Sequence, residues 1–211
     1  MSAPGRRHSL IVMLTWCSSC RDQEIVQYRI YPMRSDGLIY QVEARDDKGK
    51  AIMVDVTKLG WDASTAVELD HRRLKAPTIK LRSAIKGPNG DVVYCIDLRI
   101  TRPNAEFLST TKMHSFEHFL LAGFRKYLPE NFISIGLMGC QTGFYLVLLN
   151  EGNAEVICRV YEQILRDILV AGAVPYASVE QCGNYRNHSL ELAQTLARSI
   201  LQSKDNWRQV L

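Results

Sequence analysis

The protein is a chain of 211 residues, of which 46% are hydrophobic and 23% are charged, with a formal net charge of +4. This composition is typical of a globular chain that can bury a sizeable core, and the length predicts one domain with a smaller addition. The basic residues are scattered, which argues against a nucleic-acid partner, and no apolar stretch reaches the roughly 18 residues of a membrane span.

The amino-terminal segment has two features that suggest a function. Residues 5–17, "GRRHSLIVMLTWC", resemble a secretion signal, but the apolar run is short and bulky Trp16 stands where a small residue is expected before a cleavage site. The six cysteines are too sparse for the disulfide framework of a small secreted protein. The "CSSC" at 17–20 has no second pair to complete a metal site. We therefore expect a cytoplasmic protein with reduced cysteines and assign "CSSC" no function.

The chain divides near Gly60. Residues 25–58 alternate apolar and polar side chains on both sides of "DDKGK", a pattern that predicts a β-hairpin in which Gly49 supplies the positive φ of the turn. We expect residues 1–60 to form an amino-terminal extension and residues 61–211 to form the main domain.

Strand patterns follow this boundary. The segments "VELDH" at 67–71 and "TIKLRSAI" at 78–85 are typical of strands, and the turn cluster "KGPNGD" separates the second from "VVYCIDLRIT" at 92–101. The alternation within this last segment gives one apolar face and one face that carries Asp97 and Arg99. It predicts an antiparallel pair with one polar face.

Helices dominate the second half of the chain. A helix is predicted over 111–127, before Pro129, a second over 154–171, and a third from the N-cap Ser189 through "SLELAQTLARSIL". Two further strands, "FISIGLM" and "GFYLVLLN", flank the turn "GCQTG". The predicted class is α+β, with an antiparallel sheet packed against helices on one face.

The first of these helices carries a possible metal site in "MHSFEHFL". At 3.6 residues per turn His114 and His118 lie one above the other, so both imidazoles can reach one ion while Glu117 lies beside them. The order HxxEH is the inverse of the zincin motif and occurs in inverzincin metallopeptidases, with the glutamate as general base. Two histidines at this spacing also occur as an ordinary surface or core pair, so the motif needs a third ligand.

Two cysteines downstream are candidates for chemistry. Cys182, in the loop "QCGNYRNHS" before the last helix, offers a thiolate to a borderline divalent ion. Cys140, in "MGCQTG", lies in a turn that can expose it and lower the pKa of its thiol. Either cysteine alone is equally consistent with a small buried apolar side chain.

Together these segments closely resemble the S-ribosylhomocysteine lyase (LuxS) family. The resemblance runs from about Val67 to Trp207. It consists, in the family's order and spacing, of "LDHRRLKAPTIKLR", "DLRITRPN", "HSFEH", "MGCQTGFY" and "VPYASVEQCGNYRNHSLE".

The resemblance implies a set of residue roles. It implies that a divalent metal, one per subunit, is bound by His114, His118 and Cys182, and that Glu117 and Cys140 are the catalytic proton-transfer pair. The metal of the family is Fe(II), with Zn or Co(II) as substitutes. The resemblance also implies a substrate site lined by His71, Asp97 and Arg99, and a homodimer with the active sites at its interface.

The family's reaction explains these groups. The ribose carbonyl of S-ribosylhomocysteine moves from C1 to C2 and then to C3, after which homocysteine leaves by β-elimination and 4,5-dihydroxypentane-2,3-dione, the autoinducer-2 precursor, remains. Each shift passes through an enediolate, which a metal stabilises as a Lewis acid, while a thiolate can be the base. The product implies a role in quorum sensing or in homocysteine recycling.

Several positions depart from the family pattern. Ala66 and Val67 stand where the family commonly has serine and phenylalanine, so a hydroxyl that helps to hold the substrate is missing. Ser115 replaces a threonine and keeps its hydroxyl, and Leu137 replaces a proline before "MGC". The first sixty residues have no counterpart in the family. They are either an appended module or the result of a start codon placed too early, and we favour the second, with translation beginning at Met53.

Two other functions are compatible with a metal site on a helix. The first is an inverzincin metallopeptidase, which normally takes a downstream glutamate as its third ligand and has no role for the cysteine motifs. The second is a metal-binding sensor in which the metal is structural. A metal held by only three protein ligands keeps an open coordination position, which is typical of catalytic rather than structural sites and argues against the sensor.

Overall fold

The computed structural model describes residues 54–66, 69–87 and 89–211, together with the backbone of three short strands that precede them. The elements in chain order are β1 (Leu10–Val12), β2 (Gln27–Ile30), β3 (Val42–Arg45), β4 (Thr78–Lys86), β5 (Val92–Arg99), α1 (Thr110–Tyr127), β6 (Phe132–Leu137), β7 (Gly143–Leu149), α2 (Ala154–Val170), α3 (Leu190–Gln202) and a 3₁₀ turn (Lys204–Asn206).

The three amino-terminal strands form an antiparallel sheet in the order β1-β2-β3. The sequence instead predicts a hairpin that turns at Gly49, which lies outside the described residues. Residues 54–57, expected in its second strand, form no strand. The Asp55 carboxylate accepts hydrogen bonds from the backbone N–H of Thr57 at 3.3 Å and from its hydroxyl at 2.6 Å. These bonds close a local turn in place of extended backbone.

The main sheet has four antiparallel strands in the order β4-β5-β7-β6. These are the strands predicted over 78–85 and 92–101 and on either side of "GCQTG". The apolar face of β5 is fully buried at Ile96 and Leu98, which share one core with Phe116 of α1. The prediction of an α+β fold with helices packed on an antiparallel sheet is confirmed.

The second face of β5 carries Asp97 and Arg99, as the alternation predicts, and both side chains are buried. Asp97 and Arg99 are each only 3% exposed and form an ion pair at 2.6 Å. Arg99 lies opposite Gly143 in the β5-β7 register, and a side chain at Gly143 would collide with the carbonyl of Leu98. Glycine therefore lets β7 lie close to β5 and brings the loop before β7 next to Arg99.

The three α-helices of the described residues each begin at a polar cap whose side chain accepts a backbone N–H, as expected for Ser189; the caps are Ser109, Asn153 and Ser189. Gly123 allows α1 to lie close to α2, because a Cβ there would be 2.5 Å from Cγ1 of Ile164. Within the described part of the chain, no helix is both long and apolar enough to cross a bilayer.

The predicted strand at 67–71 is wrong in its described part. Residues 69–71 lie outside any strand, and residues 67 and 68 are not described. The Asp70 carboxylate accepts hydrogen bonds from the backbone N–H of Arg72 at 3.0 Å and from its guanidinium at 2.6 Å. This local pairing turns the chain before β4, and the period-2 pattern of five residues is too short to compete with it.

Candidate metal centre

Four side chains form the candidate metal centre, namely His114, His118, Cys182 and His188. The first two come from α1, where they lie one turn apart with ring centroids separated by 4.8 Å. Between them, Ser115 is fully buried, and its hydroxyl donates to the carbonyl of Thr111 at 2.7 Å and accepts the backbone N–H of Ser189 at 2.8 Å. One hydroxyl therefore fixes this turn of α1 against the start of α3. Ser115 keeps the hydroxyl of the expected threonine, and here that hydroxyl makes two bonds.

The other two side chains come from the loop between α2 and α3. Cys182 Sγ lies 3.3 Å from Nε2 of His114 and 3.5 Å from Nε2 of His188. The possible ligand atoms of His114, His118, Cys182 and His188 all lie within 4.8 Å of one another. The structure therefore brings together the three residues that the sequence predicts as ligands, and it adds His188.

This arrangement fits a divalent metal. Tetrahedral Zn–N bonds of about 2.0–2.1 Å and Zn–S bonds of about 2.3 Å place nitrogen and sulfur ligands about 3.5 Å apart, close to the two distances from Cys182. Imidazole and thiolate ligands together suit Fe(II), Zn and Co(II). The cluster could hold such an ion.

Backbone carbonyls orient the two histidines of α1. Nδ1 of His114 donates to the carbonyl of Asn187 at 3.1 Å, and Nδ1 of His118 donates to the carbonyl of Pro175 at 2.7 Å. Because a carbonyl only accepts, both rings carry their proton on Nδ1 and present the lone pair of Nε2 to the cluster. This is the outer contact that metal-binding histidines usually make.

His188 is the functional candidate that the sequence reasoning missed. Its ring lies 4.0 Å from that of His114 and 4.4 Å from that of His118, measured between centroids. Burial, and then the two neighbouring imidazoles, lowers the pKa of His188 to about 4, so the ring is neutral at pH 7. The sequence offers one signal for His188, its position six residues after Cys182. The helical spacing of His114 and His118 gives no reason to place His188 in the same site.

Glu117 lies next to the cluster on α1. Its carboxyl group is half-buried, and burial raises its pKa although His118 and His114 act in the opposite direction. A carboxyl group with a raised pKa exchanges protons closer to neutral pH, which suits it to proton transfer beside a metal.

Cys140 lies in the turn between β6 and β7 and is exposed. Its Sγ is 3.0 Å from the hydroxyl oxygen of Thr142 and 3.9 Å from Nη1 of Arg99. Partial burial raises the pKa of the Cys140 thiol, but the hydrogen bonds of Thr142 and the charge of Arg99 outweigh it, so the pKa is lowered overall. The surroundings favour the thiolate, the reactive form of a cysteine.

Arg99 connects Cys140 to Asp97. Its Nη2 donates to Asp97 Oδ2 at 2.6 Å and its Nη1 donates to the Thr142 hydroxyl at 2.6 Å. Asp97 Oδ1 and Arg99 Nε are buried and have no hydrogen-bond partner among the described residues. Of the three predicted substrate residues, Arg99 thus lies beside the predicted base and Asp97 is paired with Arg99.

The remaining predicted positions lie elsewhere. His71 is half-buried in the turn before β4 and is not part of the four-residue cluster. Ala66 packs against the main core, and Val67 lies outside the described residues. Leu137 is 45% exposed at the end of β6, three residues before Cys140.

Comparison with known proteins gives one family. The family model described as S-ribosylhomocysteinase (LuxS) matches residues 65–211. A protein of Halobacillus halophilus named S-ribosylhomocysteine lyase is 43% identical over 142 residues, which cover 67% of this chain and 93% of the relative. Proteins of the same name from Dichelobacter nodosus and Staphylococcus aureus are 44% and 37% identical, over 92% and 90% of their lengths and 67% of this chain.

Proposed function

Because the chain belongs to the S-ribosylhomocysteine lyase (LuxS) family, we propose that the cluster on α1 and the α2-α3 loop is the metal centre of its active site. The chain is a carbon-sulfur lyase that cleaves S-ribosylhomocysteine to homocysteine and 4,5-dihydroxypentane-2,3-dione, the autoinducer-2 precursor. The observation that carries the proposal is the convergence of the possible ligand atoms within 4.8 Å.

The proposed ligands are His114, His118 and Cys182, and the proposed metal is Fe(II), with Zn or Co(II) as substitutes. When bound, the ion supplies Lewis-acid stabilisation of negative charge on a substrate oxygen, without any change of its oxidation state. The cysteine thiolate and the two imidazoles, which carbonyls already orient, support this assignment.

Cys140 is the proposed base. As a thiolate it takes the proton from the carbon beside the substrate carbonyl and returns it to the former carbonyl carbon, and each such transfer moves the carbonyl by one position. With the carbonyl at C3, removal of the C4 proton expels homocysteine from C5. The Arg99 guanidinium and the Thr142 hydroxyl, which lower the pKa of Cys140, support this role.

Glu117 is the proposed carrier of the remaining protons. Each carbonyl shift also moves a proton between two neighbouring oxygens, and the departing sulfur needs one at the end. A carboxyl group beside the two histidines, with its pKa raised by burial, can donate and accept these protons in turn.

The proposed substrate residues are His71, Asp97 and Arg99, in a homodimer whose active sites lie at the interface. The Arg99 guanidinium, which lies 3.9 Å from Cys140 Sγ and is paired with Asp97, supports the substrate role of these two residues.

The domain boundary near Gly60 is proposed on the same basis, since the family match begins at residue 65. A cytoplasmic location stays a prediction. The metallopeptidase alternative gains nothing from the geometry, because the histidines of α1 meet a thiol and a third imidazole where that class normally has a glutamate.

A thiol-release assay tests the proposed function. Metal-loaded protein is incubated with S-ribosylhomocysteine, and the free thiol of homocysteine is followed with a disulfide reagent. We expect thiol release that depends on the metal and on Cys140. Failure of the metal-loaded protein to release thiol would overturn the proposal, and cleavage of peptides would favour a metallopeptidase instead.

A further inference from the structure

A basic pocket lies between the start of β4 and the segment that follows α3. Its volume is about 710 Å³, within the range of roughly 300–1,000 Å³ that is typical of sites for small molecules. Among the described residues that line it, none is acidic and four are cationic, namely Arg72, Arg73, Lys75 and Arg102. The pocket shares no residue with the metal centre or with the proposed catalytic and substrate residues.

Backbone hydrogen bonds join the two sides of the basic pocket. The backbone N–H of Lys75 donates to the carbonyl of Val210 at 2.9 Å, and that of Ile79 donates to the carbonyl of Trp207 at 2.6 Å. Ile79 and Trp207 are also buried together in the main core. The segment after α3 is therefore held against the start of β4, and the pocket is part of the folded domain.

Two of the four cations already have protein partners. The Arg72 guanidinium is paired with the Asp70 carboxylate at 2.6 Å, and the Lys75 ammonium donates to the carbonyl oxygen of Leu211. Arg73 and Arg102 are exposed, and within the described part of the chain no group forms a hydrogen bond or an ion pair with either guanidinium. Both retain their N–H donors for an anion in the pocket.

The placement of these two arginines favours phosphate over carboxylate. Arg73 precedes β4 and Arg102 follows β5, and the antiparallel register brings the start of β4 beside the end of β5. The two guanidinium groups therefore approach the pocket from separate segments. A planar carboxylate is satisfied by one guanidinium, whereas the oxygens of a phosphate point in several directions and accept from more than one. Two such groups suit two linked phosphates.

We propose that the basic pocket binds the diphosphate group of a small molecule, with Arg73 and Arg102 as the side chains that hold it. Further donors are available on the opposite wall, from the hydroxyl of Ser203 and the side-chain amides of Asn206 and Gln209. The inference goes beyond the proposed function and does not rest on it, because binding at this pocket is measured without the lyase reaction.

The first test measures the binding of inorganic pyrophosphate to the cobalt-loaded protein by calorimetry at low salt. We expect saturable binding of one pyrophosphate per chain, weakened by added salt. Arg73→Ala and Arg102→Ala should each weaken it by about 10-fold or more, as expected when a hydrogen bond to a charged group is lost. Both side chains are exposed, so neither substitution removes a core contact.

The matched control is Arg125→Ala, which removes an exposed cation of α1 from outside the pocket and should leave the affinity unchanged. Absence of saturable binding would overturn the proposal. Unchanged affinity in Arg73→Ala and Arg102→Ala would also overturn it, and so would an equal loss in Arg125→Ala, which would show that only the overall charge matters.

The second test establishes where the anion binds. Pyrophosphate can also coordinate a metal, so the visible absorption of the bound cobalt is followed in the same titration and should stay unchanged. A spectral change that saturates together with the heat would place the anion on the metal and overturn the proposal. In the thiol-release assay, Arg102→Ala should keep the KM of the unsubstituted protein. A KM that rises as pyrophosphate affinity falls would make the pocket part of the substrate site and overturn the proposal.

The third test establishes the class of ligand. Succinate, which carries two carboxylates, should bind much more weakly than pyrophosphate, and equal affinity would overturn the assignment to phosphate. ADP carries the same diphosphate group on an organic molecule. Tighter binding of ADP than of pyrophosphate would support an organic diphosphate as the ligand, whereas tighter binding of pyrophosphate would support the inorganic anion.

Discussion

Ser189 donates its backbone N–H to the hydroxyl oxygen of Ser115 at 2.8 Å, which fixes the start of α3 to the turn of α1 that carries both histidines. Because Ser115 is fully buried, Ser115→Ala leaves this N–H without its partner. We expect a loss of about 1–3 kcal/mol in the free energy of unfolding, measured by urea denaturation, together with weaker zinc binding. Ser115→Thr keeps the hydroxyl and is the control. Equal stability of Ser115→Ala and the unsubstituted protein would contradict the role of this bond.

The two cysteines of the site should separate in metal content. Cys182→Ala leaves the cluster without its thiolate, so bound metal and activity should both fall sharply. Cys140→Ala leaves the proposed ligands intact and should retain near-stoichiometric metal, while turnover falls by the roughly 10²–10⁴-fold typical of a lost general base. Metal analysis of both purified variants decides the matter. An empty site in Cys140→Ala with a full site in Cys182→Ala would reverse the two roles.

Thr142 should control the ionisation of Cys140. Its hydroxyl is one of the groups that lower the pKa of this thiol. Thr142→Val removes the hydroxyl at similar volume, so the pKa should rise, and the thiolate should appear only at higher pH. The pH profile of the rate at which iodoacetamide alkylates Cys140 should shift to higher pH. The rising limb of the pH profile of activity should shift in the same direction. Thr142→Ser retains the hydroxyl and should keep both profiles in place.

Air should inactivate the iron form faster than the cobalt form. Ferrous iron beside the thiolate of Cys182, with a second reactive thiol at Cys140, is open to oxidation first of the metal and then of sulfur. Protein loaded anaerobically with either metal and then kept in aerated buffer should therefore show a shorter half-life of activity with iron. Equal half-lives for the two forms would count against the proposed ligand set.

Packing of α1 on α2 depends on Gly123. A Cβ at this position would lie 2.5 to 2.9 Å from three side-chain atoms of Ile164, which is itself buried and β-branched and cannot move aside freely. Gly123→Ala should lower the free energy of unfolding by about 1–3 kcal/mol, as overpacking of a core usually does. Gly136→Ala is the control, because the added carbon meets nothing within 4 Å. Its loss in the free energy of unfolding should be well below that of Gly123→Ala.

The sequence predicted most of the domain because its signals are local. The strands β4 to β7 and the three helices follow from alternation, helical spacing and capping at Ser189, all of which act within a few residues. The strand at 67–71 failed because the side chain of Asp70 bonds to Arg72 and turns the chain. The hairpin at 25–58 failed in residues 54–57 for a similar reason, the bonds between Asp55 and Thr57.

The site was only partly predictable for a different reason. His114 and His118 share a helix, so their spacing reveals that they can meet, and the motifs around Cys140 and Cys182 carry the family resemblance. The position of His188 depends on the path of a whole loop, which no spacing rule gives. The burial of Asp97 and Arg99 likewise depends on how closely β7 approaches β5 at Gly143, a contact between distant parts of the chain.

Main-chain carbonyls at Pro175 and Asn187 orient the two histidines of α1, and this affects which genetic changes the site tolerates. A substitution at Pro175 alters a side chain but leaves its carbonyl in place, so the ring of His118 should keep its orientation. Asn187 differs, because its Oδ1 also accepts the Thr111 hydroxyl at 2.6 Å and so holds the loop to α1. An insertion or deletion between the two positions shifts the backbone by up to about 3.3–3.6 Å per residue and carries the acceptors out of reach. Along this loop, the site should tolerate substitutions better than changes of loop length at positions where only the backbone contacts it.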